Sequence, residues 1–212
     1  MQKLSHFLLR KTYLFFIFVS LCFTGCQRAE SASLQTGDII FHTSTSAQSQ
    51  AVQLATKSKY SHMGMVYEKE GKLYVLEAVQ PVKFTPLNEW IKRGKNGQYV
   101  VKRLKNSKAI LTPQNIIKIK QEGKKYLGKN YDIYFEWSDE RMYCSELVWK
   151  IYKNVLDIEI GNLQKISEFN LSHPTVKAKL KERFGDNIPM NQWAISPDQM
   201  FRSDLLETVD ER

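Results

Sequence analysis

The sequence contains few cysteines. Its 212 residues include only Cys22, Cys26 and Cys144. A disulfide-stabilised scaffold needs several cysteine pairs in a short chain, and a zinc site built from four cysteines is excluded by number alone. Each of the three cysteines therefore needs a separate explanation.

The sequence also lacks a long apolar segment and a concentrated basic patch. With 42% hydrophobic and 25% charged residues it has ordinary globular composition, which excludes collagen-like, disordered and multi-span membrane classes. The net charge is +9. Lysines and arginines are not clustered with interleaved aromatics, so we expect no nucleic-acid partner.

The first residues read as a targeting segment. Three basic residues precede an apolar run over residues 13–23, which is too short for a membrane-spanning helix of roughly 20 residues. Thr24-Gly25-Cys26 follows and resembles the lipobox of bacterial lipoproteins, although Phe23 stands where leucine is usual. A plain secretory signal or an uncleaved anchor is the alternative.

This resemblance implies a division of the chain. We expect a signal peptide over 1–25, a tether over 26–36 lipidated at Cys26, and one domain over 37–209. Removal of residues 1–25 lowers the net charge from +9 to +6. The protein would then lie in the bacterial cell envelope, anchored by lipid and facing the periplasm or the exterior, with Cys144 as its free thiol.

Short apolar runs and helix-period segments alternate along the domain. The patterns predict an α+β fold with the following elements: a strand over 38–41, a helix over 47–55, a hairpin of strands over 63–67 and 73–79, a helix from 86 to 91, a strand over 99–104, helices over 112–127, 141–156 and 176–184, and an edge strand over 205–209.

Cys144 stands at the start of a predicted helix. Unpaired N–H groups and the helix dipole stabilise an anion there, and so favour the reactive thiolate. The alternative is a buried, inert cysteine that packs as a small hydrophobe.

A nucleophilic cysteine needs a base. His42 and His173 are weaker candidates, because His42 ends the first strand and His173 lies in a polar loop before Pro174. His62 begins the second strand and shares one face with Gly64, which we expect to leave open space beside the imidazole. The alternative for His62 is a structural, hydrogen-bonded histidine.

Glu77 is the odd carboxylate in an apolar strand. Burial of a carboxylate is costly unless it is paired. A hairpin turn between Lys69 and Glu70 places His62 and Glu77 directly opposite, and a turn at Glu70-Gly71 makes them diagonal neighbours on the same face. The alternative partner is a structural lysine or arginine.

Together with their flanking motifs these residues resemble a known family. The matching segments are Thr36–Phe41, Tyr60–Val66, Val75–Val79 and Tyr143–Trp149, within a similarity that spans about residues 34–209. The chain resembles the YiiX-like branch of the NlpC-type, papain-fold cysteine hydrolases, in which the topology is circularly permuted. The resemblance implies a papain-like fold with a small antiparallel sheet packed on the cysteine helix.

The resemblance also implies a catalytic triad. Cys144 would be the nucleophile, His62 the general base and Glu77 the residue that orients the imidazole. No metal and no organic cofactor is expected for hydrolysis through a thioester. We expect Tyr131, Tyr143 and Trp137 to contact substrate, although aromatic residues in this region also suit a core.

The substrate is left open by the sequence. A tethered enzyme beside the cell wall suggests a peptidoglycan peptide or a related amide. Lipid acyl groups, cleaved or transferred, are the alternative, and a binding module with a vestigial triad is a third reading. No obligate protein partner is expected.

The lipid anchor is directly testable. Replacement of Cys26 by Ser removes the thiol that would carry the acyl chains, so we expect the variant to lose acylation and to leave the membrane fraction. Metabolic labelling with a fatty acid, followed by fractionation, measures both effects. A wild-type protein found free of membrane would contradict the lipoprotein hypothesis.

Overall fold

The computed structural model describes residues 33–212, so the predicted signal peptide and Cys26 lie outside the described residues. The first half of the described chain alternates strands with short helices. Its elements are β1 (Ile39–His42), α1 (Ala47–Thr56), β2 (His62–Lys69), β3 (Lys72–Glu77), β4 (Lys83–Pro86), α2 (Leu87–Arg93), β5 (Val100–Leu104), α3 (Ser107–Ile110) and α4 (Pro113–Lys125).

The second half is richer in helix and irregular chain. Its elements are β6 (Asn130–Tyr131), β7 (Arg141–Met142), α5 (Cys144–Leu156), β8 (Gln164–Lys165), α6 (Pro174–Phe184), β9 (Trp193–Ala194), α7 (Pro197–Phe201) and β10 (Leu206–Glu211), with single 3₁₀ turns at Lys95–Gly97 and Ile166–Glu168.

Six strands form the main sheet, in the order β10-β5-β1-β2-β3-β4. All neighbouring strands in it are antiparallel. The β2–β3 hairpin turns at Glu70-Gly71, where both residues have positive φ as the tight two-residue hairpin requires. The turn thereby fixes the second of the two registers considered from the sequence.

Each face of the sheet covers its own apolar cluster. On one face Met63 and Met65 of β2 belong to the larger cluster, together with Leu147 and Ile151 of α5. On the other face Val66 and Val75 pack with Trp90 of α2, which has no exposed surface. The alternation of β2 side chains between the two faces sends Met63 toward the α5 side and His62 toward the α2 side.

Most predicted elements are confirmed, but the cysteine helix begins later than expected and some short elements were not predicted. The cysteine helix was expected from Arg141, but Arg141–Met142 form a short parallel pair with Asn130–Tyr131 and the helix begins at Cys144. Strand β4 was not predicted, because Lys83–Pro86 carries no apolar alternation. The predicted C-terminal edge strand is confirmed as β10.

No helix among residues 33–212 is both long and apolar enough to cross a bilayer.

Gly123 allows the close approach of α4 to the sheet. A Cβ atom at this position would collide with the Tyr67 hydroxyl and would lie 2.7 Å from Leu76 Cδ2. The Tyr67 hydroxyl donates to the Ile119 carbonyl at 2.9 Å, so Tyr67 has little freedom to move away.

We expect Gly123→Ala to destabilise the domain. Overpacking of a tight contact costs about 1–3 kcal/mol, which exceeds the gain of up to about 1 kcal/mol in helix propensity. Urea unfolding measures the difference. Gln121→Ala, an exposed position on α4, is the matched control and should leave the free energy of unfolding unchanged or slightly raised; equal stability of both variants would contradict the packing argument.

Candidate active site

Cys144 is the first residue of α5. Tyr143 precedes it in extended conformation, and the Tyr143 carbonyl accepts the N–H of Leu147 at 3.1 Å. The N–H groups of Cys144 and Ser145 therefore lie in the first turn, where backbone donors have no intrahelical acceptor. The thiol is buried, with 4% of the residue exposed. Its position combines a helix dipole with free donors, which suits a thiolate or an oxyanion.

His62 and Glu77 form a direct hydrogen bond. His62 Nε2 lies 2.7 Å from Glu77 Oε2. Met65 pairs with Leu76 across the hairpin, so the next position places Glu77 beside Gly64 and diagonal to His62. This bond occupies Nε2 and leaves Nδ1 as the ring nitrogen available to the thiol.

Gly64 does not leave open space, contrary to the sequence-based expectation. A Cβ atom there would collide with Val75 and would lie 2.7 Å from the Leu76 carbonyl oxygen. The missing side chain instead allows β3 to approach β2 closely, and Glu77 Cβ fills the site at 3.4 Å from that hypothetical atom. Glycine is needed here for strand contact, and the contact delivers the carboxylate to His62.

Glu77 is fully buried and its second oxygen is also occupied. Glu77 Oε1 accepts from the Thr85 hydroxyl at 2.5 Å and from the Arg93 guanidinium. Burial alone would raise the Glu77 pKa, but the bonds to His62 and Thr85 and the charge of Arg93 lower it to about 2. The carboxylate is therefore ionised at neutral pH, and it pairs with a histidine and an arginine at once.

The imidazole of His62 is correspondingly held in its charged form. Burial lowers the His62 pKa, yet hydrogen bonds to Cys144 and to Glu77, together with their charges, outweigh burial and raise it to about 9. Cys144 is thus within reach of His62. The three predicted residues therefore lie close together, with His62 hydrogen-bonded to Glu77 and near Cys144.

His42 lies beside this series without joining it. It pairs across the sheet with His62 and stacks on Trp90 at a centroid distance of 3.9 Å. Burial, with the nearby charges of His62 and Arg93, lowers the His42 pKa to about 3, so this ring is neutral. His173 caps α6, where its Nδ1 accepts the Thr175 N–H.

An apolar pocket opens directly at Cys144. It encloses about 840 Å³, including its open mouth. Of the residues expected to contact substrate, Tyr131 and Tyr143 line it. Tyr143 also accepts the Ile195 N–H through its hydroxyl at 3.0 Å, which ties the start of α5 to the chain before α7.

Trp137 occupies a different place from the one expected. It does not line the pocket described at Cys144. Its ring packs edge-on against Trp149 at 5.3 Å, with the Lys150 ammonium 5.2 Å from its centroid. The short β6–β7 pairing turns the intervening loop so that Phe135, rather than Trp137, faces the pocket.

Three residues near the site were not predicted from the sequence. Arg93 and Thr85 hold Glu77, and Gln48 donates through Nε2 to the Tyr131 hydroxyl at 3.1 Å. Arg93 follows Trp90 by less than one helical turn, so a helix that buries Trp90 against the sheet brings Arg93 close to the same strands. The spacing between Trp90 and Arg93 in the sequence could therefore have indicated that Arg93 lies near these strands.

Comparison with known proteins matches this architecture to a family. The model of a family described as permuted papain-like amidase enzymes, YaeF/YiiX, C92 family, matches residues 33–210. The YiiX protein of Escherichia coli (strain K12) is 52% identical over 175 residues, which cover 82% of this chain and 85% of that protein.

A solved structure shows the same similarity. The crystal structure described as that of the metalloprotein YiiX from Escherichia coli O157:H7 aligns with a TM-score of 0.81 at 52% identity, covering 84% of this chain and 97% of that chain. Within residues 33–212 of the present chain, three or more His, Cys, Asp or Glu side chains do not gather in a group that could hold a metal ion.

Glu77 and Cys144 both raise the pKa of His62, which gives a testable pH dependence. We expect ring-proton NMR to show a His62 midpoint near pH 9, and Glu77→Gln to lower it by about 1–3 units because an opposite charge is removed. Cys144→Ala should lower it as well. Glu68→Gln, an exposed change on β2, is the control; an unchanged midpoint in Glu77→Gln would contradict the assignment.

The raised pKa of His62 also makes the free energy of unfolding depend on pH. The folded-state pKa of His62, about 9, lies above its ordinary value of 6.5. Its contribution to the free energy of unfolding is therefore complete below pH 6.5 and is lost as the pH rises through about 9. Wild-type protein should lose stability over this range more steeply than Glu77→Gln.

Proposed function

The chain belongs to the permuted papain-like amidase family and is a cysteine hydrolase, and on this basis we propose that Cys144, His62 and Glu77 form its catalytic triad. The observation that carries the proposal is the position of His62, which hydrogen-bonds Glu77 at 2.7 Å through Nε2 and lies close enough to Cys144 for the thiol to raise its pKa. This is the nucleophile–base–orienter arrangement of thiol hydrolases.

Hydrolysis proceeds in two steps. The Cys144 sulfur attacks the carbonyl carbon of an amide or ester, and its proton resides on His62. His62 then gives the proton to the departing nitrogen or oxygen, which leaves a thioester on Cys144. In the second step His62 takes a proton from water, the resulting hydroxide attacks the thioester, and the proton returns to the sulfur as the acid is released.

The first turn of α5 supplies charge stabilisation. In the proposed mechanism the N–H of Cys144 donates to the oxyanion that forms on the substrate carbonyl, and such fixed donors contribute strongly in a site that excludes water. Glu77 keeps the imidazole in the orientation and tautomer that direct Nδ1 to sulfur. Thr85 and Arg93 act indirectly, because their hydrogen bonds hold the Glu77 carboxylate in position.

We propose that the enzyme acts in the cell envelope, held to the membrane by lipid on Cys26. The tether would keep the site near peptidoglycan, so the first candidate substrate is a cell-wall peptide with a scissile amide. The amidase description of the family supports this choice of bond.

The second candidate is a lipid acyl group, and the pocket favours it. Apolar side chains dominate the surface beside Cys144, including Ala51 and Val52 of α1 and Ile166 and Phe169 beyond it. A peptide brings backbone N–H and C=O groups that need polar partners. An acyl chain has no such need.

Removal of the nucleophile tests the proposed chemistry. Cys144→Ala and His62→Ala should each reduce turnover of muropeptide and acyl-amide substrates by more than about a thousandfold, as loss of a triad member does in related mechanisms. His173→Asn is the matched histidine control, because asparagine keeps an acceptor at the N-cap of α6.

Reactivity of the thiol gives an independent readout. Iodoacetamide should label Cys144 faster than a free model thiol, because the thiolate is favoured by the helix terminus and by His62. His62→Ala should abolish the difference. Wild-type protein that turns over no substrate of either class, and labels no faster than the model thiol, would contradict the proposed triad.

A further inference from the structure

Lysines that are dispersed in the sequence gather on one side of the fold. We call this surface the lysine face, and it consists of Lys69, Lys72, Lys118, Lys120, Lys124 and Lys125. The first two close the β2–β3 hairpin, and the others lie on α4. A hydrogen bond of 2.6 Å from Lys120 Nζ to the Glu68 carbonyl joins the helix to the hairpin.

The hairpin lysines lie on the α4 side of the sheet. Lys69 and Lys72 pair directly across the hairpin, so their side chains share one face. Alternation along β2 places Lys69 on the same face as Tyr67, whose hydroxyl donates to the Ile119 carbonyl of α4. Like charges that are directly opposite destabilise a strand pair. An anion bound in front of the two lysines relieves this repulsion.

The carboxylates nearest to these lysines offset only part of their charge. Glu70 in the hairpin turn is exposed and lies 4.0 Å from Lys69. Glu122 is buried on the inner side of α4 and bonds Lys125 at 2.6 Å. The side chain of Glu68 alternates to the opposite face of the sheet. The lysine face therefore keeps an excess of positive charge.

Exposed apolar side chains border the lysine face. Ile117 on α4 is 55% exposed, and Leu127, directly after the helix, is 37% exposed. Aliphatic groups beside the apolar stems of lysines suit the boundary between lipid headgroups and acyl chains. A polyanion dissolved in water offers these apolar groups no partner, so the combination favours a membrane surface.

The described chain begins beside the lysine face. Its first residue is Ser33, and shortly afterwards the Thr36 hydroxyl accepts the Glu68 N–H at 3.0 Å. Glu68 thus contacts the start of the chain through its N–H and Lys120 through its carbonyl. Cys26 precedes Ser33 by seven residues, which span at most about 25 Å. A membrane anchor at Cys26 therefore keeps the lysine face close to the bilayer.

Resting on the membrane anchor of the proposed function, we propose that the lysine face docks on the anionic phospholipid surface of the anchoring membrane. The anchor confines the domain near the leaflet, and the lysines fix which side of the domain meets it. Each lysine near an anionic leaflet strengthens binding by about fivefold. A lipid chain and a basic surface together bind more firmly than either one alone.

Docking determines how the active site is presented. His62 lies six residues along β2 from Glu68, roughly 20 Å at the rise of a strand. Cys144 and its pocket lie at the His62 end of the sheet. The docked enzyme therefore receives its substrate from the aqueous side of the envelope, away from the leaflet that holds the anchor.

Lysine footprinting on vesicles tests the orientation. Wild-type protein is mixed with vesicles of phosphatidylcholine, or of phosphatidylcholine and phosphatidylglycerol in equal parts, and is acetylated by an impermeant amine reagent before mass spectrometry. We expect Lys69, Lys118 and Lys124 to react about fivefold more slowly on the anionic vesicles. Lys95 and Lys177, which are exposed elsewhere, should react equally on both. Protection of all five lysines alike, or of none, would overturn the docking face.

Charge removal gives a second measurement with a matched control. The face variant carries Lys69→Gln, Lys118→Gln and Lys124→Gln, and the control variant carries Lys95→Gln, Lys177→Gln and Lys181→Gln. We expect the protection of Lys72 and Lys125 on anionic vesicles to disappear in the face variant and to persist in the control variant. Circular dichroism checks that both are folded. Protection that persists in the folded face variant contradicts docking through these lysines.

Two further samples separate this proposal from its alternatives. Polyphosphate at the same phosphate concentration should protect the lysine face less than anionic vesicles do, and equal protection assigns the face to polyanions in general and overturns membrane docking. The footprint requires no turnover, so Cys144→Ala protein should give the wild-type pattern whether or not the triad is active. A footprint on protein without an acyl chain at Cys26 supports the docking face and contradicts only the lipid anchor.

Discussion

The buried carboxylate of Glu77 determines how the site is assembled. It has no exposed surface, so its charge must be balanced from within the protein, and three neighbours do this: His62, Thr85 and Arg93. They belong to β2, β4 and α2, while Glu77 ends β3. One ion therefore fixes the mutual positions of four elements, and the imidazole that faces Cys144 is oriented by the same set of bonds. A partner removed from such a cluster leaves an uncompensated buried charge, which is far more costly than loss of an exposed ion pair.

Local pattern was sufficient to predict most of the fold and the residues brought together at the site. Alternating and helix-period apolar residues located the β2–β3 hairpin, α1, α4 and α6, because those elements each bury one face. The exceptional Glu77 in an apolar strand, and a histidine at the start of its neighbour, were visible as departures from that pattern. The turn signal around Glu70-Gly71 allowed two registers in which the two side chains share a face, whereas a one-residue slip between them would have placed the side chains on opposite faces.

Long-range packing was not accessible to that reasoning. The role of Arg93 depends on how α2 crosses the sheet. The role of Gly64 depends on how closely β3 approaches β2, so the sequence suggested open space at Gly64 where the structure has contact. The start of α5 was placed too early because Arg141 and Met142 fit a helix locally, yet they pair with Asn130 and Tyr131. Trp137 was assigned to the substrate side because it is an aromatic residue shortly before Cys144, with a core role as the alternative, and the structure packs it against Trp149.

The chain order of the site has a consequence for biosynthesis. The hairpin that carries His62 and Glu77 is complete before the segment containing Cys144 has been made, and its contacts are local in sequence. During synthesis His62 and Glu77 can therefore pair while Cys144 is still absent. The thiol emerges last of the three, so it meets the imidazole only when α5 docks on the sheet. With the proposed triad, nascent and unfolded chains would thereby be spared an activated cysteine.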